Sequence, residues 1–81
     1  MNETITYPQY RKYLNGKVYF KIISNTEWEE IQQIGKKFIL NSFTSKILPD
    51  RNFLHDLIYN YEENCLDISK TEYEEVKKQL P

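Results

Sequence analysis

Apolar and polar residues alternate through residues 9–23, and the pair Asn15-Gly16 cuts the alternation in two. Asn-Gly is the favoured centre of a type I′ turn, whose two central residues both take positive φ. A two-residue loop fixes the register, with Lys12 opposite Tyr19, Arg11 opposite Phe20 and Tyr10 opposite Lys21. The pattern therefore predicts an antiparallel β-hairpin over about 9–14 and 17–23. One face carries Tyr7, Tyr13, Val18, Phe20 and Ile22, with Arg11 intruding, and is expected to meet the core. The other carries Tyr10, Lys12, Lys17, Tyr19 and Lys21 and is expected to face outward.

After the hairpin the period changes. Thr26 followed by Glu29 has the spacing of a capping box, and Glu27, Glu29 and Glu30 suit the positive end of a helix dipole. Trp28, Ile31, Ile34, Phe38, Ile39 and Phe43 fall on one half of a helical wheel, which predicts a helix over about 26–42. The rival reading stops that helix at Gly35 and places a third strand within 37–48. Pro49-Asp50 then opens a second helix over about 50–62, with Phe53, Leu54, Leu57, Ile58 and Tyr61 in one stripe. A short apolar segment at 65–68 precedes a terminal helix over about 71–80 that buries Tyr73, Val76 and Leu80 and pairs Glu74 with Lys78.

The expected fold is thus a single α+β domain spanning 1–81, a hairpin packed on two longer helices and a short C-terminal one. Its expected core holds Tyr13, Val18, Phe20, Ile22, Trp28, Ile31, Ile34, Phe38, Phe53, Leu57, Ile58, Tyr61, Tyr73, Val76 and Leu80. Within this frame, residues 23–31 echo residues 68–76. Six of the nine positions are identical, and Trp28/Tyr73 and Ile31/Val76 are conservative. Duplication would explain this, but so would two extended segments that each turn into a capped helix.

Composition narrows the function classes. No apolar run approaches the length of a membrane span, and the N-terminus lacks the basic start and apolar stretch of a secretory signal. A lone Cys65 makes no internal disulfide, so a cytoplasmic location is expected by elimination. Residues 1–24 carry Arg11, Lys12, Lys17 and Lys21 against Glu3, a balance of +3. Residues 52–81 carry seven acidic residues against three lysines, a balance of −4. Attraction within the fold is the simplest use of that asymmetry.

Candidate chemistry is sparse. One His and one Cys exclude a Cys/His zinc cluster, and two glycines exclude a glycine-rich phosphate cradle, so no metal or cofactor is expected. His55 and Cys65 are the sole conceivable nucleophile pair, and neither sits where sequence suggests a desolvated site. The chain is therefore expected not to be an enzyme. The outward hairpin face interleaves tyrosines with lysines, and two partner chemistries suit it. A protein could dock on the tyrosine anchors Tyr10 and Tyr19, rimmed by Lys12, Lys17 and Lys21. Alternatively, single-stranded nucleic acid could stack there while the lysines track phosphates, although a net charge of −1 disfavours that partner. Self-association is the third expectation: if 37–48 is a strand, Phe38, Leu40 and Leu48 would lie on one edge, open to a second copy or a partner strand.

Overall fold

The computed structural model describes residues 6–46, 48–59 and 61–80. Among them, elements run in the order β1 (Gln9–Tyr13), β2 (Val18–Ile22), β3 (Glu27–Ile34), β4 (Lys37–Thr44), α1 (Leu48–Tyr59), β5 (Cys65–Asp67) and α2 (Lys70–Lys77). The strands form one antiparallel sheet in the order β4-β3-β2-β1-β5.

This overturns the hairpin-on-helices architecture. Residues 26–42 form no helix; they supply β3 and most of β4, joined through Gly35-Lys36 with Ile34 opposite Lys37. Gly35 takes φ 62 and no described non-glycine residue has a positive φ, the pattern of a type II′ turn. The helical wheel misled because the sheet is covered on both faces. Trp28 and Ile31 are three residues apart, so they share a helix face but point to opposite sides of a strand. Trp28 packs with Phe20, Ile22, Leu54, Leu57, Ile58 and Cys65 beneath α1. Ile31 packs with Tyr10 and Tyr73 beneath α2. A strand buried on both sides loses its period of two, and what remained matched 3.6. The capping box is not used either: Thr26 gives its carbonyl to the Ser45 N–H at 2.6 Å, as part of the β3–β4 ladder.

The first hairpin keeps its expected register, with Tyr10 opposite Lys21, Arg11 opposite Phe20 and Lys12 opposite Tyr19. Its turn differs from the expectation. Gly16 takes φ 74 but Asn15 does not have a positive φ, so the turn is not type I′. The Gly16 N–H instead donates to Tyr13 O at 2.8 Å, and the Asn15 side-chain oxygen accepts from the Lys17 N–H at 2.9 Å. The side chain thus takes over part of the work of turning the chain.

Further boundaries shift. The second helix begins at Leu48, so Asp50 lies inside it and Leu48 does not belong to a strand. Ser69 caps α2, its hydroxyl accepting from the Glu72 N–H at 3.1 Å. Lys78 pairs with Glu75 at 2.9 Å and not with Glu74. Of the expected core, Ile34, at 57% exposed, and Phe53, at 38%, lie outside it, and Tyr7 is likewise exposed; Tyr10 and Leu54 join it.

Arg11 is the polar keystone. It is 3% exposed, and its guanidinium donates to the carbonyls of Leu57 at 3.0 Å, Tyr10 at 2.9 Å and Ile58 at 3.5 Å. It also pairs with Asp67 at 3.0 Å and lies 3.9 Å above the Tyr61 ring. Leu57 and Ile58 end α1, whose last turn carries no basic residue of its own. A strand residue thus supplies the cation that helix C-termini favour. Among the described residues, no helix is long and apolar enough to cross a membrane.

Candidate interaction surface

The tyrosine–lysine face exists as a face but not as an open platform, because α2 lies over it. Tyr10 is 7% exposed, its ring tilted against Tyr73 with centroids 5.3 Å apart. Lys12 pairs with Glu72 of α2 at 2.8 Å and sits 5.8 Å from the Tyr19 ring. That carboxylate holds the Lys12 ammonium above its ordinary pKa. Tyr19 is half-buried beside the α2-side core, and Lys21 is half-buried. Lys17 alone of the five is exposed. The acidic last third therefore folds onto the basic first third, through Lys12–Glu72 and Arg11–Asp67.

Among the described residues, the surface left unpartnered is the β4 edge. Alternate residues of an antiparallel strand turn their N–H and C=O to opposite sides. The Gln33 N–H donates to Lys17 O, and Glu27 O accepts from the Ile23 N–H, so odd residues of β3 face β2. Even residues of β3 face β4, meeting its odd residues, as the Ser45–Thr26 bond shows. The main-chain groups of Phe38, Leu40, Ser42 and Thr44 consequently point away from the sheet. They offer a row of donors and acceptors along a strand of eight residues.

The side chains beside this row are apolar on both faces. Trp28 stacks on Phe43 at 5.1 Å on the α1 side, which places Ile39 and Lys37 there too. Phe38 and Leu40 lie on the α2 side, where Phe38 packs against the α2-side core. Ile39, Leu40 and Phe43 are 43%, 37% and 39% exposed. The one charge within the strand is Lys37, at its start, and there is no proline. The opposite edge, β5, has three residues and is tied to Arg11 through Asp67. Short, charged edges resist pairing and long, apolar ones invite it. β5 is protected in that sense and β4 is not.

The two groups singled out for nucleophilic chemistry stay apart. Cys65 is buried and lines a cleft of about 500 Å³ with Tyr13, Leu57 and Tyr61, whereas His55 lines a different cleft beside Arg51 and Tyr7. Burial pushes the Cys65 thiol up, opposed only in part by Arg11, so the thiolate needed of a nucleophile is disfavoured. The His55 ring instead contacts Tyr59, with centroids 4.7 Å apart.

The class these features define is a small antiparallel α+β domain which, among the described residues, is covered by one helix on each face and left open at its β4 edge. No family model, no curated protein and no solved structure matches the chain.

Proposed function

We propose that this chain is a non-enzymatic protein-interaction module that works by strand addition at β4. The observation that carries the reading is the outward row of main-chain groups at Phe38, Leu40, Ser42 and Thr44, flanked by exposed apolar side chains. Strand addition draws affinity from main-chain hydrogen bonds and specificity from alternate side chains, and β4 presents both. The raised thiol of Cys65 and its separation from His55 support the non-enzymatic half of the reading. A cytoplasmic site of action remains part of the proposal, supported by the lone, buried cysteine.

Amide exchange tests it. A synthetic peptide of residues 36–44 is added in excess to the isotope-labelled chain, and exchange is followed residue by residue. Protection is expected to rise at the amides of Phe38, Leu40, Ser42 and Thr44, while Ile39, Asn41 and Phe43 keep the protection β3 already gives them. Exchange at the even-numbered amides that stays fast under every condition contradicts strand addition.

A further inference from the structure

We infer that the cleft between the C-terminal half of α1 and the paired ends of β1 and β5 binds a small quaternary ammonium compound. The site is separate from β4, so it stands or falls independently of strand addition. Its volume, about 500 Å³, falls in the range of small-molecule sites. Leu57 and Cys65, both buried, line it. So do the rings of Tyr13, Phe53 and Tyr61. Tyr13 and Phe53 both pack against the fully buried Phe20, with centroids 4.9 and 6.3 Å away. A core residue thus holds these two rings in place before any ligand arrives. Phe53 is still 38% exposed, and Tyr13 and Tyr61 are half-buried.

Charge decides what the rings would hold. The described residues that line the cleft include two carboxylates, Asp56 and Glu63, and no lysine, arginine or histidine. Both carboxylates are exposed, which puts them at the rim. Asp56 and Leu57 lie in the last turn of α1, whose C-terminal end adds partial negative charge. Arg11 offsets some of this from beside Tyr61, but its guanidinium is already bonded to Asp67 and to the carbonyls of Tyr10 and Leu57. Aromatic rings attract cations through their negative faces, and quaternary ammonium groups are the cations such rings suit best. A primary ammonium brings three N–H donors that need acceptors, and the buried side chains here are Leu57 and the Cys65 thiol. A methylated ammonium has no N–H to satisfy. An anionic group beside the ammonium, as in a phosphocholine headgroup, would meet Asp56 and Glu63 at the rim. The occupant that fits is therefore a free cation.

Choline and its uncharged isostere, the alcohol in which a tert-butyl group replaces trimethylammonium, test the site because they share a shape and differ in charge. Each is titrated into the isotope-labelled chain at matched chloride concentration, and chemical shifts are followed residue by residue. Choline is expected to shift the signals of Tyr13, Phe53, Tyr61 and Cys65. It should bind at least about fivefold more tightly than the alcohol, and more tightly than phosphocholine. Phe53→Leu removes a ring and keeps an apolar side chain, whereas Glu63→Gln removes an exposed charge. Each should weaken choline roughly two- to fivefold and narrow the gap to the alcohol. Circular dichroism checks that both variants are folded. Equal affinity for choline and the alcohol, no saturable shift from choline, or shifts confined to residues outside the cleft overturns the inference. Phosphocholine binding as tightly as choline overturns the assignment to a free cation.

Discussion

The hydroxyl of Tyr73 donates to Glu29 Oε1 at 2.9 Å. Lys77 donates to the same oxygen at 3.1 Å, so one carboxylate on β3 holds α2 at two points. The two residues come from the two halves of the sequence echo, Glu29 from the first and Tyr73 from the second. Each half thus completes the other across the sheet.

Two tyrosines on this face should respond in opposite ways to loss of the hydroxyl. Tyr73 is fully buried and its hydroxyl is bonded to a charged acceptor. Tyr73→Phe should cost about 1.5–3 kcal/mol. The Tyr10 hydroxyl is buried and meets no partner among the described residues, so Tyr10→Phe removes a desolvated group that gained nothing. That change should be neutral or should stabilise by up to about 1 kcal/mol. Urea midpoints of the two variants, with unchanged m-values, check both signs.

Stability should fall steeply in alkali. Burial, followed by the hydrogen bond to Glu29, pushes the Tyr73 hydroxyl up, and burial raises Tyr10 and Tyr13 as well. In the unfolded chain each of these groups ionises near pH 10. Above that pH the unfolded state sheds protons that the native state keeps, so stability is lost as pH rises. The Tyr73 contribution approaches about 1.4 kcal/mol per pH unit. Denaturation midpoints between pH 9 and 11 should decline for the wild type and decline less for Tyr73→Phe. Equal slopes would remove Tyr73 as the cause.

Arg11→Lys should be far from conservative. The guanidinium forks to the Leu57 and Ile58 carbonyls while also reaching Tyr10 O and Asp67. An ammonium cannot match that planar geometry, nor lie flat on Tyr61. The expected loss is about 2–4 kcal/mol, most of it from carbonyls left unsatisfied at the buried end of α1. Asp67→Asn should cost under about 1 kcal/mol, since that carboxylate is 64% exposed. Thermal unfolding of the two variants separates the contributions.

The first hairpin was legible because its register is local. Asn15-Gly16 marks the reversal and alternation does the rest, so Arg11 and Phe20 were placed opposite each other correctly even though the turn type was not. The open edge was legible only as the rival reading of residues 37–48. What hid β3 was burial on two sides, which erased the alternation that reveals a half-exposed strand. The covered tyrosine–lysine face was missed for a related reason. Nothing in residues 9–23 says that Tyr73 will lie on Tyr10.

The echo shows how far context overrides local pattern. Residues 23–31 and 68–76 share six of nine identities, yet the first becomes β3 and the second α2. Ser69 caps a helix through the Glu72 N–H, whereas Ser24 accepts from the Thr26 N–H two residues on, at 3.2 Å. The difference lies downstream. Gln32-Gln33-Ile34-Gly35 leads into a turn and the apolar strand β4, which pairs with β3. Lys77 ends α2 and Lys78 is its C-cap. Availability of a partner strand decided between two states that local propensity left close.

Sedimentation of a labelled 36–44 peptide with the wild type and with Ser42→Pro is the most direct test of the open edge. Proline at 42 removes an outward N–H without touching the β3 ladder, whose bonds use the odd-numbered residues. Excess peptide should co-sediment with the wild type, whereas Ser42→Pro should stay folded and retain none. A wild type that retains no more peptide than Ser42→Pro at the highest attainable concentration would contradict pairing at β4.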